Sequence, residues 1–515
     1  MSPRSRASSL VVLALLHAGI APLPSARAAH ASPQQSSTAE QPPERQPERP
    51  YGWFDPIIDV RHLLGAGFVD PPDEATLTAM QEAALAAMVA ALGDPYTVYV
   101  PPSAEKGFDK ALRGTYVGIG AEIDQHEGYL RIVSPLDDSP AREAGVLGGD
   151  LVLAIDGTST FGMHLDRCMD LLLGEPGTPV VLTLRHPDGR EEDVTIVRRK
   201  IQAQTVKGFR RSTDGWEHLL DPARGIAYLR LTQFTETTAE DLRRSIGAIV
   251  ADGAKALILD LRFNGGGSLG AAIQTADLFQ RGGTIVSVRA RDGQGRAWTA
   301  QDDPTDLDLP LVVLVNEASA SASEILAGSL QENHRAKVLG TRTFGKGSVQ
   351  DVRALPEGRG SIKITTARYY LPSGRNITRS PKASDHDKLW GVDPDPGYYL
   401  ALTDDEERTL IFARRPWEIA GGAPTDPSKW ADPAWVGRAP GDGGTDGAGD
   451  PQLAAAMTAL AGKLTTGAWP RVGGDPGTTA SLSEELLRVQ SYRERLLNEL
   501  RQTEERIAAL ERESK

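Results

Sequence analysis

Cysteine is almost absent from this chain of 515 residues, Cys168 being the only one. No disulfide framework can form within one chain, and no cysteine is available near the N-terminus to carry a lipid. Metal-ligand patterns are missing as well: the histidines are scattered and no HExxH occurs, so no metal centre is expected and no cofactor is implied. Basic residues are in deficit. Lys+Arg 56 against Asp+Glu 69 gives a net charge of -13, which repels phosphate backbones and anionic lipid and argues against nucleic acid as a partner. One near-motif for phosphate fails on inspection. GTRTFGK (Gly340 to Lys346) has GxxxxGK spacing, but Gly347 stands where a magnesium-binding Ser or Thr belongs, and the strand-like GSVQDVRAL follows where a helix should.

What is present reads as a series of segments, and the length suggests about three domains, or two with extensions. Arg4 and Arg6 precede the apolar stretch Leu10 to Leu16, and the small-residue run ARAAHA follows. Residues 1–31 therefore read as a secretory signal, cleaved after Ala28 or Ala31. The apolar stretch falls short of the about 20 residues needed to span a bilayer, so no stable transmembrane anchor is expected, an uncleaved anchor being the alternative. The expected location is periplasmic or secreted. Residues 32–50, rich in Pro, Gln, Glu and Ser, read as a disordered linker. Residues 51–112 read as a helical module, because EATLTAMQEAALAAMVAAL (Glu74 to Leu92) repeats apolar residues at helical spacing until Gly93-Asp94-Pro95 stops it.

Residues 113–200 change to short β-type runs, YVGIGAEI, YLRIVSPL, DLVLAIDG, PVVLTLR and EDVTIVR, interrupted by helical stretches at Ser139 to Gly145 and Met163 to Gly174. This unit resembles a PDZ domain. Gly118, Ile119 and Gly120 stand where such domains place the loop that binds a peptide carboxylate, and Asp150 to Gly157 resembles their central strand and turn. A glycine loop can aim backbone N–H groups at a carboxylate while a strand edge pairs with an extended chain end. The plainer alternative is that these glycines only make turns.

From Ile201 to Asp404 the pattern is α/β. ALILDL (Ala256 to Leu261) and LPLVVLV (Leu309 to Val315) are buried-strand runs, each followed by a polar turn and a helix. Residues 405–480 form a Gly/Pro/Asp-rich extension in which Trp430 and Trp435 are candidates for docking onto a neighbouring surface, with a short helix from Pro451 to Leu464. In residues 481–515, Leu486, Val489, Arg493, Leu496, Leu500, Thr503, Ile507 and Leu510 follow heptad spacing after the capping pattern Ser481-x-x-Glu484. A coiled coil joining subunits and a single amphipathic helix folded onto its own chain both satisfy this pattern.

The second α/β turn reads NEASASASEI, with Ser319, Ser321 and Ser323 alternating with alanines. A polar face or a helix cap, Ser321-x-x-Glu324, would explain it; so would a nucleophile at a helix N-terminus, where free N–H groups and the dipole favour negative charge. No GxSxG elbow surrounds these serines, and His334 lies near a helix end, which disfavours a histidine triad. Lys346, in RTFGKGSVQ, is the better base candidate, flanked by glycines with Phe344 and Val349 near enough in sequence to exclude water. Burial lowers a lysine pKa from about 10.4 by up to roughly 3 to 5 units, enough to supply neutral amine. A surface lysine in a glycine turn is the alternative.

Taken together, LILDLRFNGGGSLGAAI, PLVVLVNEASASASEILAGSLQENHRAKVLGTRTFGKGSVQ and IKITTARYYLPSGRNIT, with LGDPYTVYV (Leu92 to Val100) and GVDPD (Gly391 to Asp395), closely resemble the C-terminal processing (tail-specific) serine peptidases with an inserted PDZ domain. The likeness covers roughly Tyr51 to Leu402. It implies an α/β core of crotonase/Clp-peptidase type, Ser321 as nucleophile, Lys346 as general base, Gln350 orienting its amine, and backbone N–H groups of Gly267 and Ala322 as the oxyanion hole. Ser319 and Ser323 become supporting groups. Implied partners are protein or peptide substrates with exposed C-termini. In one respect the chain departs from the pattern: many members have NPGG where Asn264-Gly265-Gly266-Gly267 stands. Two rival functions are a PDZ scaffold with an inactive core and a histidine-assisted esterase. The intact Ser321, Lys346 and Gln350 argue against the first, and the missing elbow against the second.

Overall fold

The computed structural model describes residues 52–104, 115–136, 139–186, 188–202, 204–212, 215–303, 307–379, 390–403 and 449–477, with isolated positions between 406 and 418 and between 486 and 504. The signal, the linker, Trp430, Trp435 and most of the heptad segment lie outside the described residues. Of the heptad positions, Leu486, Arg493 and Leu500 are described, and each is helical and exposed. Among the described residues no helix is long and apolar enough to cross a membrane.

The chain divides into two units between Thr78 and Ala79. The first holds α1 (Asp55–Gly67) and the start of α2 (Glu74–Ala90). α1 buries none of its residues.

The second unit opens with β1 (Val98–Val100) and then builds a β-rich body from β2 (Thr115–Gly118), β3 (Ala121–His126), β4 (Tyr129–Pro135), α3 (Pro140–Glu143), β5 (Leu151–Ile155), β6 (Thr158–Ser159), α4 (Leu165–Leu172), β7 (Pro179–Arg185), β8 (Glu191–Val197) and β9 (Arg199–Gln202). Strand order is β3-β4-β5-β7-β8, with β6 on β5. Val180, Leu182 and Leu184 alternate inward from β7, as the two-residue side-chain period dictates, onto a core with Ile119, Leu130, Ile132, Val152 and Leu172. The run YVGIGAEI, expected as one strand, is broken in two. β2 pairs with β9, whereas β3 becomes an edge of the larger sheet. The break falls at Gly120, whose φ of +76° and close approach to Ser139 exclude a side chain.

The α/β body follows in chain order: β10 (Val206–Lys207), β11 (Arg210–Ser212), β12 (Gly215–Glu217), β13 (Leu219–Asp221), β14 (Ile226–Leu231), α5 (Thr238–Ala251), β15 (Ala256–Asp260), α6 (Leu269–Asp277), β16 (Thr284–Ala290), β17 (Gly295–Thr299), β18 (Leu311–Val315), α7 (Ala322–Glu332), β19 (Lys337–Gly340), β20 (Ser348–Ala354), β21 (Ser361–Tyr370) and α8 (Pro451–Thr466). The central sheet runs β10-β14-β15-β18-β19, and its last four strands are parallel. Every residue of β15 and β18 is buried, because both faces are covered. Leu257, Leu259 and Val313 face α5, α6 and α7 through Leu242, Ala272 and Ile325. On the other face Ile258, Val312 and Leu314 meet Leu453, Ala456 and Leu460 of α8. A second, antiparallel sheet runs β1-β21-β16-β17, with β20 on β21. Parallel neighbours β15 and β18 end side by side, so the turns that follow them open at one edge of the sheet, where sites commonly form.

Candidate active site

The site is built where those two turns meet. After β15 the chain turns through Asn264, whose buried amide donates to the Leu231 carbonyl oxygen at 2.9 Å and accepts from the Gly266 N–H at 2.9 Å. Gly267 has a φ of +144°, and a Cβ there would lie 2.1 Å from the Phe234 carbonyl oxygen. Only glycine can pass so close to that backbone.

After β18 the three serines separate by role. Ser319 Oγ donates to the Leu261 carbonyl oxygen at 2.8 Å and Ser323 Oγ to the Asn264 carbonyl oxygen at 2.8 Å, and both side chains are buried. They stitch the second turn to the first. Ser321 instead faces a cavity of about 600 Å³. Its backbone, at φ 58° and ψ −112°, lies in a region that non-glycine residues avoid.

Glu324 is buried at the first turn of α7 and accepts four hydrogen bonds. Ser321 N–H and Lys346 N–H each donate to Oε2 at 2.8 Å, and Thr343 Oγ1 and Gly345 N–H donate to Oε1 at 2.6 and 2.7 Å. Burial pushes its carboxyl above the usual range, with those donors acting against the rise. One side chain thus clamps the serine turn to the FGKG loop. The sequence showed Glu324 as a helix-cap partner, and the reach to residues 343–346 was not visible in that pattern.

Lys346 lines the same cavity as Ser321. Its Nζ lies 5.0 Å from the centroid of the Tyr96 ring and makes no hydrogen bond to Ser321 among the described residues. Burial holds the amine below the ordinary lysine range, the charge of Lys363 adds to this, and Glu324 and Asp94 oppose it. Of the two shields expected from neighbouring sequence, Val349 lines the cavity but Phe344 is 44% exposed. Tyr96 supplies the apolar cover instead. It comes from the turn in LGDPYTVYV, held by Asp94, which accepts from Tyr96 N–H at 3.1 Å and Thr97 Oγ1 at 2.6 Å.

Gln350, on β20, also lines the cavity. Its amide nitrogen donates to Ser348 Oγ at 2.8 Å and to Thr365 Oγ1 at 3.3 Å, which leaves Oε1 as the side chain's acceptor. Among the backbone donors here, the N–H groups of Ser321, Gly266 and Ser268 are already bonded to Glu324, Asn264 and the Phe234 carbonyl. Those of Gly267 and Ala322 have no hydrogen-bond partner among the described residues.

In the β-rich body, the carbonyls of Ile119 and Gly120 accept from Ala141 N–H at 2.8 Å and Leu136 N–H at 2.9 Å. Their own N–H groups are unpartnered among the described residues, and Gly118 pairs with Arg199 at the end of β2. The Ile119 side chain is buried in the core, so only its backbone can serve a peptide carboxylate.

Residues 225–396 match the peptidase family S41 and residues 131–186 match a PDZ domain. The chain is 35% identical to a carboxy-terminal-processing protease of Bartonella bacilliformis over 80% of its own length and 89% of that protein. It is 33% identical to the carboxy-terminal processing protease CtpA of Bacillus subtilis, over 67% and 72% of the two chains. Among solved structures it is similar to a photosystem II D1 C-terminal processing protease, at 29% identity, a TM-score of 0.39 and coverage of 67% and 86%. The chain belongs to the carboxy-terminal processing serine peptidases of family S41 and carries their PDZ domain.

Proposed function

We propose that this peptidase is an exported endopeptidase that cleaves polypeptides through a Ser-Lys dyad and an acyl-enzyme, on a core of crotonase/Clp-peptidase type. Ser321 Oγ attacks the scissile carbonyl and Lys346 Nζ takes the serine proton. The N–H groups of Gly267 and Ala322 hold the oxyanion, and the protonated amine then serves the leaving nitrogen. The acyl-enzyme is released by water. Gln350 Oε1 accepts from the amine and orients it, which requires Nζ to move from its resting place over Tyr96 toward Ser321. The PDZ domain, through the Gly118–Gly120 loop and the β3 edge, receives an exposed apolar C-terminus. The C-terminal heptads either join subunits or fold as a single helix onto their own chain, and the N-terminal signal directs export.

The observation that carries this reading is the meeting, in one cavity, of a strained serine, a partly desolvated lysine and two backbone N–H groups that have no hydrogen-bond partner among the described residues. Digestion of casein by the wild type beside Ser321→Ala tests it. Cleavage is expected for the wild type and none for the variant; equal cleavage by both would sink the assignment of the nucleophile.

A further inference from the structure

One polar group at this cavity has no task in the mechanism above. Tyr369, on β21, is 2% exposed, and its hydroxyl is buried without a hydrogen-bond partner among the described residues. Leaving a buried hydroxyl unpaired costs on the order of 1–3 kcal/mol, and a phenylalanine would avoid that cost at almost the same volume. The hydroxyl therefore asks for a partner that engages it at another stage.

Its surroundings name that partner. Tyr369 lines the cavity with Ser321, Ala322, Ile325 and Lys346. Its backbone is fixed beside the lysine: Tyr369 N–H donates to the Gly347 carbonyl oxygen at 3.1 Å, and its own carbonyl accepts from Asn376 Nδ2 at 2.8 Å. The Ser321 hydroxyl lies close enough to the phenol to act on it, yet no hydrogen bond is formed between them. Burial, with the negative charge of Glu324, pushes the phenol well above the usual tyrosine range, and the approach of Ser321 offsets only part of that rise. The group stays protonated and can donate but not act as a base.

We propose that Tyr369 is a further catalytic residue, whose phenol donates a hydrogen bond to Ser321 Oγ as the serine attacks. The inference rests on Ser321 as the nucleophile. Donation from Tyr369 into one lone pair turns the serine's own hydrogen toward Lys346 and stabilises the negative charge that grows on Oγ. The Oγ–H bond breaks and its proton passes to Lys346 Nζ, the Oγ–C bond forms as the carbonyl π bond opens and its electron pair moves onto the oxyanion, and the phenol keeps its proton throughout.

Tyr369→Phe removes the hydroxyl alone. Tyr370→Phe is the control, since Tyr370 is the adjacent residue of β21 and packs under the Arg289 guanidinium at 4.3 Å. With a chromogenic peptide ending in apolar residues, Tyr369→Phe is expected to lower kcat by roughly 10²-fold, the usual loss for one donor to a developing anion. KM and the pH midpoint of kcat should stay put, and the thermal midpoint should hold or rise. A merely structural tyrosine would lower the thermal midpoint and leave kcat unchanged. Wild-type kcat in Tyr369→Phe with Ser321→Ala inactive would overturn the phenol's role and leave the serine standing. Wild-type activity in both would overturn the two together.

Discussion

A lysine serves as a base only where its charge is discouraged, and Lys346 is held in that condition by burial and by Lys363, against the pull of Glu324 and Asp94. Arginine at this position keeps charge and approximate length but has a pKa above about 12 and accepts no proton. Lys346→Arg should therefore lose activity by roughly 10²-fold or more, as should Lys346→Ala. Near-wild-type turnover by the arginine variant, measured on the same peptide, would remove the dyad. The pH dependence has a defined sign. Because the neutral amine is the active form, kcat should rise with pH through a midpoint below the ordinary lysine value of about 10.4. Removing Lys363, by Lys363→Met, removes a like charge that depresses the amine, so the midpoint should move upward. A downward or absent shift would show that the two ammonium groups are not coupled.

At the scale of elements, the turn after β15 shows why one glycine is obligatory and another is replaceable. A side chain at Gly267 would collide with the Phe234 backbone, so Gly267→Ala must displace one of the two unpartnered N–H groups and should abolish cleavage with the fold retained. Gly265 is different: its φ is not left-handed, a Cβ there meets nothing within 4 Å, and its N–H makes no hydrogen bond among the described residues. Gly265→Pro should therefore preserve activity and stabilise by about 0.4–1 kcal/mol, through the narrower unfolded ensemble. Thermal unfolding beside a peptide assay checks both, and an inactive proline variant would mean that this turn must flex during turnover. The extra glycine, relative to the NPGG of many relatives, is on this view a loss of rigidity and not of N–H groups.

At the scale of the whole molecule, Leu410, Arg414 and α8, all beyond residue 405, are part of the core. Arg262 donates to both oxygens of Asp260 and both of Asp450, and to Gln452, while Arg414 donates to Asp260 at 2.7 Å. All three partners of this network in the Asp260–Arg262–Asp450 chain are fully or almost fully buried. The carboxyl of Asp260 is pushed up by burial yet driven far below its usual range by Arg262 and Arg414. Replacing one member leaves an uncompensated buried charge, so Asp450→Ala should cost about 3–5 kcal/mol. Since Arg262 precedes the glycine turn, activity should fall with stability. Truncation after Ser481 leaves the network and α8 in place; it should spare fold and cleavage but lower the mass seen by light scattering if the heptads join subunits. An unchanged mass would assign the tail to its own chain.

Local pattern was sufficient for the strand runs ALILDL and LPLVVLV, for the helices that follow them and for the segments holding Ser321, Lys346 and Gln350, because each is a short string whose apolar period or turn residues act over a few neighbours. The change from short β-type runs to strand–turn–helix repeats likewise marked a PDZ-like stretch apart from the α/β stretch, and residues 131–186 within it match a PDZ domain. Which serine faces the cavity, what buries the lysine and what clamps the two loops were decided only on folding. Ser319 and Ser323 are withdrawn by the Leu261 and Asn264 carbonyls, Tyr96 arrives from far upstream to cover Lys346, and Tyr369 of β21 joins Ser321 at the cavity. Alternating Ser and Ala looks the same in the sequence whichever hydroxyl is free. Desolvation and hydrogen-bond partnership depend on the groups gathered around an atom, and here those groups come from segments that no local period connects.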